Sequence, residues 1–169
     1  GGLEAKTWNF STAQQIADDW EETLDSEWAW TDVAGQGMYR ADPNNDLSSD
    51  YSHAFAGMKS WDDYSVSAWL QYASSSGNSP LAGVSARVNS TGGRYSCLLY
   101  SNSKLILAKL NSSADALPGW SGGLKSVATF STSAGSWYNL GLNATGTRLN
   151  CSISSLTESR TFEFIDSTD

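Results

Sequence analysis

Hydrophobic and polar residues alternate in short runs along most of this 169-residue chain, and clusters of Gly, Ser, Asn and Thr separate the runs. Successive side chains of a strand point to opposite faces, so a period of two predicts half-buried strands. In YSVSAWLQY (64–72), Val66, Ala68 and Leu70 form the apolar set, which leaves Trp69 and Gln71 on the other face. LAGVSARVN (81–89) sets Ala82, Val84, Ala86 and Val88 against Arg87. RYSCLLY groups Tyr95, Cys97 and Leu99, and RLNCSIS groups Leu149, Cys151 and Ile153. WYNLGLNA turns Trp137 and Asn139 away from Tyr138, Leu140 and Leu142. KTWNFS, EWAWTDV, GMYRAD, HAFAGM, KLILAKL, LKSVATF and RTFEFID complete the candidate strands. About a dozen short strands at this spacing predict an all-β fold, a two-sheet antiparallel sandwich or barrel. Only STAQQIADDWEE has helical character, with Ser11 or Thr12 as N-cap.

Composition adds function classes and removes others. The length fits one domain over residues 1–169, able to bury a core without help from a metal or disulfide. Eight Trp, seven Tyr and five Phe exceed what one small core consumes, so some rings are expected at the surface for ligand contact. Eighteen acids against ten bases give a net charge of −8 with no Lys or Arg cluster. Nucleic acid and anionic membranes are therefore poor partners, because phosphate binding needs a concentrated cationic footprint. No apolar run is long enough to span a bilayer, and GGLEAKTW lacks a signal pattern, so the chain reads as a mature or trimmed product.

Five N-x-Ser/Thr acceptors, at Asn9, Asn89, Asn111, Asn143 and Asn150, point to a secreted glycoprotein. Cys97 and Cys151 allow one bridge or two buried thiols, and the extracellular context favours the bridge. The segment DPNNDLSSDYSH (42–53) offers Asp42, Asn44 and Asp46 at the spacing of an oxygen-ligand calcium loop. Leu47 replaces the turn Gly and His53 the bidentate Glu of that loop, so a polar turn competes with a calcium site there.

The order of three segments, AFAGMKSWDDYSVSAWLQY, LAGVSARVNSTGGRYSCLLYSNSKLILAKL and SWYNLGLNATGTRLNCSIS, resembles laminin-G-like, concanavalin A-like jelly rolls. Such domains are common as carbohydrate-binding modules of secreted polysaccharide-degrading enzymes. The likeness runs over roughly residues 20 to 166 and rests on Trp61-x-Asp63-Tyr64, the Gly83–Arg87 strand, Tyr95, the Lys104–Lys109 strand and the Trp137–Leu142 strand. It implies a glycan or polysaccharide partner, a catalytic domain elsewhere in a larger protein, no required cofactor, and a structural calcium ion as an option of the fold class. It also implies a closing strand that FEFIDSTD does not supply, so the domain is expected to lack that strand or to receive it from another segment.

If the strands bearing Trp69 and Arg87 are neighbours, Trp69, Gln71 and Arg87 share one non-core face, and that set suits a sugar. A ring stacks on the C–H face of a pyranose while Arg and amide groups bond its hydroxyls. Trp120, on the Gly-flanked loop ALPGWSGG, is a further contact candidate. Tyr95 divides the two arguments: the resemblance sets it beside Arg87, whereas its alternation with Cys97 sets it in the core. Trp137, Asn143 and Asn150 fall on outward faces read as a glycosylated, non-binding sheet, with Trp137 structural. Catalysis finds little support. No closely alternating carboxylate pair suits a glycosidase, and the single His53 lacks the setting of a lyase or serine-hydrolase base. The expected function is a non-catalytic carbohydrate-binding module. An adhesion or protein-interaction domain of the same architecture is the alternative, and a small glycoside hydrolase or polysaccharide lyase the third reading.

Overall fold

The computed structural model describes residues 6–22, 28–33, 35–41, 54–56, 62–72, 81–100, 103–110 and 125–167. They belong to two compact units, Gly1–Met58 and Lys59–Asp169. In the first, α1 (Gln14–Asp19) leads into β1 (Glu21–Glu22), which pairs antiparallel with β4 (Ala54–Phe55). Between them β2 (Trp28–Val33) and β3 (Gln36–Ala41) form a hairpin in which Trp28 faces Ala41 and Val33 faces Gln36. Its turn uses Gly35 at φ 83, a conformation without steric cost only for glycine, and Asp32 Oδ1 accepts the Gly35 N–H.

One expected strand is absent. KTWNFS is irregular because Phe10 sits at φ 52, in the left-handed region that no extended strand can contain. Asn9 Oδ1 accepts the Ser11 N–H, and Gln15 Oε1 accepts that of Phe10. Short polar side chains have captured backbone donors that a sheet would otherwise have used.

The second unit is an antiparallel β-sandwich. Its strands are β5 (Tyr64–Leu70), β6 (Leu81–Ala86), β7 (Arg94–Tyr100), β8 (Lys104–Leu110), β9 (Lys125–Thr129), β10 (Tyr138–Thr145), β11 (Arg148–Ser154) and β12 (Ser159–Ile165). One sheet runs β12-β11-β10-β5 and the other β6-β7-β8-β9. The core lies between them: Val84, Ala86, Tyr95, Cys97, Leu99, Leu105 and Leu107 meet Tyr138, Leu140, Leu142, Ala144, Leu149, Cys151 and Ile153. Val66, Ala68 and Leu70 pack against its margin. The Cys97–Cys151 disulfide joins β7 to β11 across this core, with a Cα–Cα distance of 5.4 Å.

The two sheets differ on their outer sides. In β10 burial alternates strictly, with Tyr138, Leu140, Leu142 and Ala144 buried and the residues between them half-exposed. In β8 the residues from Leu105 to Ala108 are all buried. Ile106, Ala108 and Leu110 point away from the inter-sheet core yet form a second buried cluster with Tyr100. β8 is therefore covered on both sides, although Val127 of β9, opposite Ile106, is exposed, and the β12–β5 sheet keeps an open face.

At one end of the sandwich a buried carboxylate ties the sheets together. Asp166, 3% exposed, follows β12 and donates its N–H to Thr147 O. Its Oδ2 accepts the Tyr95 hydroxyl at 2.6 Å and the Lys109 ammonium at 3.0 Å. A charge this deep is tolerated because it is paired and hydrogen-bonded.

Candidate functional site

Strand pairing decides which residues share the open face. β5 pairs with β10, not with β6, so Trp69 stands opposite Asn139 and Ser67 opposite Gly141. Extending through β11 and β12, the row from Trp69 continues to Asn139, Ser154 and Ser159. The next row is Ser67, Gly141, Ser152 and Thr161, and the third is Ser65, Asn143, Asn150 and Glu163. Since Tyr138 pairs with Leu70, Trp137 falls beside Gln71 on the same face as Trp69. Trp137 immediately precedes β10 and so lies at the end of the sheet where Trp69 closes β5.

Both rings face water: Trp69 is 55% and Trp137 40% exposed. They are the two aromatics among the exposed large hydrophobic residues described, the others being Val127, Leu156 and Ile165. The ground beneath them is firm. Gln71 Nε2 donates to Gly135 O at 2.8 Å, and Gly135 N–H returns a bond to Tyr72 O. The Tyr72 hydroxyl meets Thr132 Oγ1, the Tyr138 hydroxyl accepts the Ser133 N–H, and Phe130 packs edge-on against Tyr138. Beside the indoles the face stays low, because Gly141 lacks a side chain and Ser152 Oγ leans over it to Gly141 O. A Cβ on Gly141 would meet that oxygen at 2.8 Å.

Charge on this face is self-compensated. Arg148 pairs with Glu163 at 3.7 Å on this face, whereas the Arg160–Glu158 pair, at 2.8 Å, belongs to the other side of β12, where Arg160 stands opposite Ile153. Around Trp69 and Trp137 the same-face neighbours are Gln71, Asn139, Ser67 and Ser154, all neutral donors and acceptors.

The other expected sugar contacts lie elsewhere. Arg87 does not share the face of Trp69, because β5 and β6 belong to different sheets. β6 ends at Ala86, Arg87 adopts φ 54, and its N–H is donated to the Tyr64 hydroxyl. The guanidinium turns back to Asp62 O, to Asp62 Oδ1 at 3.4 Å and to Asp63 Oδ1 at 3.2 Å. Asp63 Oδ1 also accepts the Gly146 N–H, so Arg87 anchors the start of β5 against the β10–β11 turn. That anchor is six residues from Trp69, about 20 Å of strand. Tyr95 is buried beneath Asp166; of the two readings of this residue, the alternation argument describes its place.

Asn143 and Asn150 lie directly opposite each other on the face that carries Trp69, so the ring and these acceptors are not on separate sheets as the sequence suggested. Asn143 Nδ2 donates to Ser65 Oγ at 2.6 Å. Asn89 is exposed in the β6–β7 turn, where its Oδ1 accepts Thr91 N–H, Thr91 Oγ1–H and Gly93 N–H. Asn9 is likewise exposed. The calcium candidates Asp42, Asn44 and Asp46, as well as Trp120 and Asn111, lie outside the described residues. Among the described residues no group of three or more His, Cys, Asp or Glu side chains is placed to hold a metal ion.

Trp137, read from the sequence as an outward structural residue, is exposed, and the β5–β10 pairing that sets it at the same end of the sheet as Trp69 is not written in either segment. No protein-family model matches the chain, and no curated protein or solved structure matches it either.

Proposed function

We propose that the chain is a non-catalytic carbohydrate-binding module of jelly-roll type that holds a secreted polysaccharide-degrading enzyme on its polymer. The observation that carries this reading is the pair of exposed indoles, Trp69 and Trp137, on one flank of an open, charge-compensated sheet face. Two large apolar rings left in water forgo burial worth about 1.5–3 kcal/mol each, which a ligand recovers by covering them. Sugar rings suit this arrangement because their C–H faces stack on indole, while Gln71, Asn139 and Ser154 supply hydrogen bonds at the edges. Among the described residues no uncompensated cation stands beside the rings, which favours a neutral polymer over a uronate. A disulfide of this kind persists in oxidising compartments, which supports an extracellular site of action. Binding raises the local concentration of the attached enzyme at its substrate.

Affinity electrophoresis of the wild type on galactans, xylans, fructans, arabinans and glucans tests the reading. The expected result is retardation on one neutral polymer, lost in Trp69→Ala and in Trp137→Ala, kept in Arg87→Ala, with no sugar released. Absence of retardation on every polymer would replace this reading with the protein-interaction alternative, and release of products would replace it with an enzyme.

A further inference from the structure

Four of the five N-x-Ser/Thr acceptors lie among the described residues, and the fold treats them in two ways. Asn9 and Asn89 sit in irregular turns and are exposed, whereas Asn143 and Asn150 sit within β10 and β11 and are half-buried. The difference matters because an N-linked glycan is bulky and leaves through Nδ2 of the asparagine amide, so that nitrogen must face water.

In the turns the other end of the amide is anchored. Asn89 Oδ1 accepts the Thr91 N–H at 3.0 Å, the Thr91 hydroxyl at 2.8 Å and the Gly93 N–H at 2.9 Å. Asn9 Oδ1 accepts the Ser11 N–H at 3.1 Å and a Gln15 Nε2 hydrogen at 2.9 Å. Both are Asx turns, in which an asparagine side chain bonds the backbone two residues on. With the oxygen drawn into the turn, the amide plane sends Nδ2 the other way. Nδ2 of neither residue takes part in a hydrogen bond among the described residues.

The strand pair has less freedom. Asn143 and Asn150 are direct partners across β10 and β11, a placement that sets their Cβ atoms about 4.5–5.5 Å apart. Asn143 Nδ2 donates to Ser65 Oγ at 2.6 Å, and its Oδ1 accepts the Thr145 hydroxyl, so both ends of this amide are held on the sheet. Leu142, Ala144, Leu149 and Cys151 beside them are buried, and Cys151 is bridged to Cys97, so the backbone cannot shift to make room.

We propose that Asn9 and Asn89 carry N-linked glycans and that Asn143 and Asn150 stay bare. In the transfer, Nδ2 forms a bond to C1 of an oligosaccharide carried on a lipid pyrophosphate, the C1–O bond breaks, the pyrophosphate leaves, and one Nδ2 proton passes to a base of the transferase. A glycan on Asn143 competes with Ser65 for Nδ2 and crowds Asn150, so chains that carry it fold poorly and are removed before secretion. Asn89 follows Arg87, whose N–H is given to Tyr64 at the start of β5, whereas Trp69 lies at the far end of that strand. A glycan on Asn89 therefore stands away from Trp69.

Occupancy of these residues is independent of what the indole face binds, and the test reads it without a ligand. The full chain is secreted from a eukaryotic host that attaches N-glycans. Its sugars are then removed by a glycan amidase in water enriched in heavy oxygen, which turns each occupied Asn into a heavy Asp that peptide mass spectrometry detects. The expected result is a mass shift in the Asn9 and Asn89 peptides and none in those of Asn143 and Asn150. Ser65→Ala combined with Asn150→Ala frees Asn143 Nδ2 and clears the space opposite, and should bring the Asn143 peptide from unshifted to shifted. Bare Asn9 or Asn89 in the wild type would overturn the proposal, and so would occupied Asn143 or Asn150. An Asn143 peptide still unshifted in the secreted double variant would overturn the strand restraint as the cause. The wild-type map decides the assignment even where the double variant fails to fold.

Discussion

The two sheets of the sandwich have the same number of strands and share one core, yet they meet their surroundings differently. On the β6–β9 sheet the central strand β8 is dry on both sides, with Ile106, Ala108 and Leu110 buried like Leu105 and Leu107, while the edge residue Val127 stands out in water. On the β12–β5 sheet the inner residues of β10 and β11 are buried and those of β5 half-buried, while Ser67, Asn139, Asn143, Ser152 and Trp69 remain in contact with water. A sheet covered on both faces is a structural wall. One with a free face can present side chains, and a Trp there stands out because nothing in the fold requires it. The difference teaches where to look for function: on the sheet whose outward residues are not needed for stability.

The comparison can be broken first at Ala108, fully buried on the outward side of its sheet. Ala108→Asp places an unpaired carboxylate in an apolar cluster and is expected to cost more than about 4 kcal/mol, measured by urea denaturation. Ser67→Asp, outward on the other sheet, should stay within about 0.5 kcal/mol of wild type. Equal effects would show that the two outer faces are alike. Joint replacement of Cys97 and Cys151 by Ser opens a cross-link with a sequence separation of 54. Stability should fall by about 4 kcal/mol, and the comparison with dithiothreitol-treated wild type checks it.

Asp166→Asn removes the charge that Lys109 and Tyr95 share. It should cost about 2–4 kcal/mol, at the low end because the Lys109 side chain is 25% exposed. Trp69→Ala and Trp137→Ala sharpen the contrast in the other direction. Each should change the midpoint of unfolding little and lower glycan affinity at least tenfold, about 1.4 kcal/mol of binding. Arg87→Ala is expected to act on stability alone, and modestly. Its partners Asp62 and Asp63 are largely exposed, so the loss is about 1 kcal/mol of stability with glycan retardation unchanged.

Legibility followed periodicity. YSVSAWLQY and WYNLGLNA alternate in hydrophobicity as β5 and β10 alternate in burial, because one face of each meets the core and the other meets water. KLILAKL also reads as a strand, but the reading as a strand does not tell that Ile106, Ala108 and Leu110 on its outward side are buried. KTWNFS misled because its alternation says nothing about Phe10, whose φ is set by side-chain bonds from Asn9 and Gln15 rather than by hydrophobicity. At the candidate site, exposure of Trp69 and burial of Tyr95 both followed from the pattern. The grouping with Arg87 did not survive, because face assignments within a strand carry no information about which strand lies alongside.

The sequence by itself determined the β-rich class, the strand positions after the first segment, the inward set around Cys97 and Cys151, and the outward place of both Trp69 and Trp137. These are local consequences of side-chain alternation, and alternation is written residue by residue. Only the tertiary structure decided that β5 pairs with β10, that Arg87 folds back onto Asp62 and Asp63, and that the outward side of β8 is buried. Each depends on contacts between segments far apart in the chain, where pairing is chosen by the combined packing of both sheets and no single stretch contains the choice.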